Sequence, residues 1–204
     1  MTSRILASQL MNTAEKLVPS VVGRGRPARS DLRRATSTAY YAVFHQILRH
    51  GALVVLPHAT EDDIARVARW HSHAAIKKAS DSVVRADSHL KNGAPVPKDH
   101  RAAVDALVAA SSGQGAIPAD LITACRYFSS LQDSRAQADY DGLFDPTRRE
   151  VRSHIDDAQE ALECLWRLWS HAEAADPADR EAHETYRVFL LLALGWSSSF
   201  ARAR

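Results

Sequence analysis

Apolar residues recur along this chain at intervals of three and four, and no stretch alternates apolar with polar positions long enough to suggest a strand. The pattern predicts an all-α protein. Leu6, Leu10, Ala14 and Leu17 share one face of a first helix over about 3–17, which Pro19 stops. A loop rich in Gly, Pro and Arg follows over 20–29. Ser30 as cap and Asp31 as first-turn acid open a second helix that reaches about His50, where Gly51 is placed to end it. Thr60, ahead of Glu61, Asp62 and Asp63, starts a third helix that continues to about Val84. The segment 85–98 holds Gly93, Pro95 and Pro97 and reads as irregular. Residues 100–110 have the pattern of a short helix, and the SSGQG run at 111–115 breaks it.

A helix is expected from Ala119 through Leu121, Cys125, Phe128 and Gln132 to Arg135, ending near Gly142. Asp145 and Pro146, read as a cap with proline at the first helical position, then introduce the stripe Val151, Ile155, Ala158, Leu162, Leu165 and Trp169 of a long amphipathic helix. Asp176 and Pro177 begin a last helix whose run from Val188 to Leu194 is apolar all round, so it must fold back on the bundle or build an oligomer interface. The expected organisation is an antiparallel helical bundle over 1–175, with an irregular insertion at 85–117, and an extra C-terminal helix over 176–204.

The 204 residues, 46% hydrophobic and 25% charged, suit one globular domain. A formal charge of +2 is too small for a global attraction to phosphates. The concentrated basic patch is Arg24, Arg26, Arg29, Arg33 and Arg34, opposed by Asp31; such a run is more often a solvated loop than a nucleic-acid contact. Cys125 and Cys164 form no CxxC pair and read as buried thiols rather than a zinc site or disulfide. The N-terminus has no secretory signal pattern. The longest apolar run, Val188 to Trp196, is nine residues, about half of the ~18–20 that span a bilayer. A cytoplasmic protein without a membrane partner is expected. No glycine-rich phosphate loop, serine nucleophile elbow or metal-ligand cluster is evident, and no cofactor is implied.

Arg34, Thr38, Tyr41 and His45 fall at helical spacing beside Ala35, Ala39, Val43 and Ile47. Polar groups set against a core require hydrogen-bond partners, for which Arg135, Asp139 and Tyr140 are the candidates. One reading is a buried network that fixes helix register, with Arg135 and Asp139 paired; the same arginines would hold a phosphate that displaced the acid.

The two segments that carry these residues, LRRATSTAYYAVFH and SLQDSRAQADYD, resemble the signature helices of bacterial HEPN proteins, in the expected order. The resemblance covers roughly 3–169 and leaves the last helix and the loop at 85–117 unexplained. It implies a core of about four or five helices, a homodimer, and a polar cleft at the dimer interface. Many relatives are metal-independent ribonucleases that use an Arg followed about four to six residues later by a His. Here the Arg is Arg135, but Ala136, Gln137, Ala138, Asp139, Tyr140 and Asp141 follow it, and the His is missing. Metal-free cleavage needs a base for the 2′-hydroxyl and an acid for the leaving oxygen; His45 or His73 is placed to substitute if it faces Arg135. Arg135, His45, Tyr140 and Asp139 are therefore the candidate catalytic set, and Arg33, Arg34, Tyr41 and His73 the candidate RNA-phosphate contacts.

The Arg66/His71 and Arg149/His154 spacings read as surface or packing pairs, and Arg66, Trp70, His73 and Lys77 as a solvated face. Trp166 and Trp169 read as core or dimer interface rather than base-stacking groups. Two functions follow: an RNA-directed effector of a toxin–antitoxin or phage-defence system, or a non-catalytic dimerisation protein that docks on a partner such as an antitoxin or a nucleotidyltransferase. An open cleft holding Arg135, Tyr140 and His45 suits the first; a sealed network suits the second.

Overall fold

A computed structural model of the chain describes residues 2–18, 27–68 and 72–195. All their regular structure is helical: α1 (Thr2–Leu17), α2 (Arg29–Val55), α3 (Glu61–Ala68), α4 (His73–Asn92), α5 (Arg101–Ala110), α6 (Ala119–Tyr140), α7 (Arg148–Ser170) and α8 (Pro177–Gly195). Single 3-10 turns sit at Lys98–His100 and His171–Glu173. The protein is an all-α helical bundle, and none of the described helices is long and apolar enough to cross a membrane.

The longest helix, α2, is the axis of the bundle, with α1, α3, α6, α7 and α8 packed around it. Its alanines 35, 39 and 42 are fully buried; among the described side chains of α1, Ala7, Met11 and Ala14 are buried, as is Val18 just past its end. Small side chains on both helices permit a close approach. The buried stripe of α1 is thus turned by one residue from the expected one: Leu10 and Leu17 are partly buried at its edge, and Leu6 is exposed.

Several boundaries differ from the sequence reading. The residue before α2 is Ala28, with no side-chain cap, and Ser30 lies inside the helix. The helix also passes Gly51, because Ala52 beyond it is buried with Ile64 and Val67 of α3 and Leu194 of α8; that burial outweighs the roughly 1 kcal/mol cost of an internal glycine. The expected third helix is two. Thr60 and Asp63 cap α3 reciprocally, and a separate cap, Ser72, accepts the Ala75 N–H at 3.0 Å to start α4.

The segment 85–117 is mostly helical rather than irregular. α4 continues to Asn92 and ends on Gly93, whose φ of 62° is the left-handed conformation that suits a C-terminal glycine. α5 buries Ala103, Val104 and Leu107 against the same core. The start of α7 also shifts: Thr147 is the N-cap, two residues after Asp145, in a capping box with Glu150.

α8 folds back on the bundle. Tyr186, Phe189, Leu190 and Ala193 belong to the main core, whereas Leu191 is exposed. His50 anchors this helix to α2: its Nδ1 lies 2.8 Å from the Tyr186 hydroxyl, its Nε2 2.7 Å from Gln46 Nε2, and its ring stacks on Trp169 at 4.2 Å. Trp169 therefore packs in the protein's own interior edge, as one of the two expected readings had it.

Candidate functional site

The polar stripe of α2 faces the C-terminal part of α6 because Tyr40 packs on Phe128, with ring centroids 5.4 Å apart, and draws the two helices together. Arg135 sits in this contact. Its Nη2 donates to the Tyr41 hydroxyl at 2.7 Å, and its Nε is 2.6 Å from Asp139 Oδ2, one helical turn on. Ser37 of α2 donates to the other Asp139 oxygen at 2.5 Å. The guanidinium carbon also lies 5.4 Å from the Tyr41 ring centroid and 5.3 Å from that of Tyr140, within cation–π range.

A third element completes the cluster. His73, the first residue of α4, stacks on Phe44 with centroids 4.2 Å apart, and its Nδ1 lies 2.6 Å from the Tyr40 hydroxyl. This is a correction to the solvated face expected for Arg66, Trp70, His73 and Lys77: His73 is half-buried against α2, and Lys77 pairs with Asp133 at 3.2 Å. Arg66 is exposed and pairs loosely with Asp63, while Trp70 and His71 lie outside the described residues. His45 is half-buried beside Phe44, 5.6 Å between centroids, and beside Tyr41, 6.3 Å.

Arg135, Asp139, Tyr140, Tyr41, His45 and His73 thus occupy one neighbourhood, formed by three helices. Tyr140 is 76% exposed and Arg135 is half-buried, so the cluster lies at the surface rather than sealed in the core. No family model, curated protein or solved structure matches the chain. What the cluster can do is therefore argued from its own chemistry.

Burial lowers the pKa of both His45 and His73; for His73 the nearby Arg135 charge and His45 lower it further, and Asp139 partly offsets them. Both rings are neutral at pH 7 and able to accept a proton. Tyr40 is shifted the other way, well above the ordinary phenol range, mainly by desolvation. It stays protonated, and its hydroxyl shares a hydrogen bond with His73 Nδ1. For Arg135 desolvation favours the neutral form, but Asp139 and Tyr41 outweigh it and the guanidinium is held more firmly charged.

Beside this cluster an open groove of about 620 Å³ is lined by Arg29, Ser30, Arg33, Arg34, Ser37 and Asp139. Two of its arginines are committed elsewhere. Arg29 donates to the carbonyls of Gly142 and Phe144, and Arg33 to those of Asp141 and Phe144, so both clamp the turn after α6. Arg34 is exposed with its side chain unpaired among the described residues, and is the groove's available cation. Arg24 and Arg26 lie outside the described residues. His154 approaches the Thr36 hydroxyl at 3.3 Å between α2 and α7, a packing contact rather than a partner for Arg149.

Three members were missed in the sequence. Ser37 precedes Tyr41 and His45 by one and two turns, and that spacing was a usable signal. Tyr40 and Phe44 were not singled out, since nothing in their own helix announces that His73 lands on them. Among the described residues, no three His, Cys, Asp or Glu side chains converge as a metal-ligand set.

Proposed function

We propose that this protein is an RNA-directed effector of the HEPN type, acting in the cytoplasm within a toxin–antitoxin or phage-defence module. The observation that carries the reading is the meeting of Arg135 with two neutral imidazoles, His45 and His73, at an accessible surface. The chemistry this suits is transesterification. A neutral His takes the 2′-hydroxyl proton, the 2′-oxygen attacks the adjacent phosphorus, and the 5′-oxygen leaves with a proton from an acid, giving a 2′,3′-cyclic phosphate and a 5′-hydroxyl end. Arg135 would hold the phosphate oxygens once Asp139 is displaced. His45 is the better base, because His73 Nδ1 is engaged by Tyr40. Tyr140 is the exposed hydroxyl nearest to Arg135 and the candidate acid. Arg34 and Tyr41 would contact flanking phosphates, a role in which Arg33 is limited by its bonds to carbonyls.

A homodimer joined near this cluster is part of the proposal. Tyr140 and Leu143 are 76% and 89% exposed side by side at the end of α6, an apolar area that a second copy would cover.

One observation favours the second reading, a non-catalytic adaptor for an antitoxin or nucleotidyltransferase: in the free protein the Arg135 charge is already paired with Asp139 and its Nη2 donates to Tyr41. Incubation of the purified protein, and of Arg135→Ala, with total RNA and tRNA without added metal decides between them. Cleavage by the wild type and not by the variant is expected; RNA left intact by both would overturn cleavage and leave the RNA-binding or adaptor reading.

A further inference from the structure

Most arginines among the described residues are spent on carboxylates or carbonyls: Arg49 on Glu61, Arg167 on Asp120, Arg187 on Glu184, Arg152 on Asp156, Arg180 on the carbonyls of Ala174 and Ala175. Arg85 and Arg126 are not. Both are exposed, neither has a hydrogen bond or ion pair to another described residue, and they line the same open groove of about 560 Å³ between α4 and α6. With Asp81 as the one carboxylate among the groove's lining residues, the two arginines leave that lining net positive, and their planar donor forks match phosphate oxygens.

α4 and α6 run antiparallel, so that Lys77 meets Asp133 and Asp81 meets Ser129 on the way from His73 to Arg85. At 1.5 Å per residue, the twelve residues from His73 to Arg85 cover about 18 Å. The groove's carboxylate, Asp81, accepts the Ser129 hydroxyl at 3.3 Å and faces two cations. The intervening Lys77–Asp133 pair is exposed on the Asp133 side, 68%, and so is exchangeable.

We propose that the α4–α6 seam is a second phosphate-binding site, at which Arg85 and Arg126 grip the backbone of a single-stranded RNA. The inference rests on the RNA-directed reading.

The test is fluorescence anisotropy of a labelled single-stranded RNA without metal, over a series of salt concentrations, for the wild type, Arg85→Ala/Arg126→Ala, Arg135→Ala and Arg149→Ala. Arg149 is an exposed arginine outside the seam. The double variant should lose about tenfold in affinity at low salt, and its slope of log K against log salt should be shallower by about 1.4, which is two single-strand phosphate contacts. Arg149→Ala should change neither. RNA binding weakened by Arg135→Ala but untouched in the double variant would overturn the seam and leave the RNA reading intact. A loss at Arg149→Ala equal per charge to that of the double variant would overturn it as bulk electrostatics. No RNA binding by the wild type would overturn both. Thermal melts identical to the wild type are expected, since both side chains are exposed and alanine favours helix.

Discussion

The Tyr40 hydroxyl and Nδ1 of His73 lie 2.6 Å apart across 33 positions of sequence. A buried phenol whose ionisation is disfavoured thereby fixes the position of an imidazole on another helix. His73 is expected to titrate below the ordinary histidine value. Arg135→Ala, which removes a repelling charge, should move that pKa up, and Asp139→Asn should move it down. Histidine ring NMR against pH reads both shifts; movement in the opposite direction for either variant would refute the electrostatic account.

Asp139 occupies the guanidinium that a phosphate would need. Asp139→Asn keeps an acceptor for Ser37 and removes the competing charge, so RNA affinity should rise severalfold while Arg135→Ala lowers it. A part-exposed pair is screened, which keeps the gain modest. Equal weakening by both substitutions would mean that Asp139 positions Arg135 rather than competing for it.

Burial and the Arg49 charge pull the pKa of His50 down to about 3. The unfolded chain, with an ordinary value near 6.5, binds the proton that the folded chain refuses, so stability rises with pH. The contribution is complete above about pH 6.5 and is lost as pH falls from there towards 3, at up to about 1.4 kcal/mol per pH unit. Urea midpoints at pH 7.5 and 4.5 should differ clearly in the wild type, and the difference should shrink in His50→Gln even though that variant is less stable overall.

The caps are separable from the site. Thr147→Ala removes the side-chain half of the box that starts α7, while its backbone N–H still donates to Glu150, and should cost about 1 kcal/mol; Ser72→Ala should cost about 1 kcal/mol at the start of α4. If α4 positions His73 as described, Ser72→Ala should also broaden the His73 ring resonances, an effect that Thr147→Ala lacks.

The helices were legible where periodicity and punctuation agreed. The extent of α6 and the Asp176-Pro177 start of α8 follow from apolar spacing and turn residues alone. Legibility failed where a local signal was outvoted by tertiary burial, as at Gly51, or where two caps compete within a few residues, as at Asp145 and Thr147. In the site, Arg34, Tyr41 and His45 on one helix and Arg135 and Asp139 on another could be read from spacing, since each stripe is a property of its own helix. The arrival of His73 could not. It depends on the break between α3 and α4, which reorients residues 73–92 and is marked only by Ser72.

The place of α8 also bears on how the chain folds as it is made. This helix supplies Tyr186, Phe189 and Leu190 to a core shared with α2, α4 and α5, and closes His50 against Trp169. While the ribosome still holds those residues, α2 has emerged with its Gln46 and His50 uncovered. A nascent chain halted before Tyr186 presents an open apolar face for chaperones to occupy.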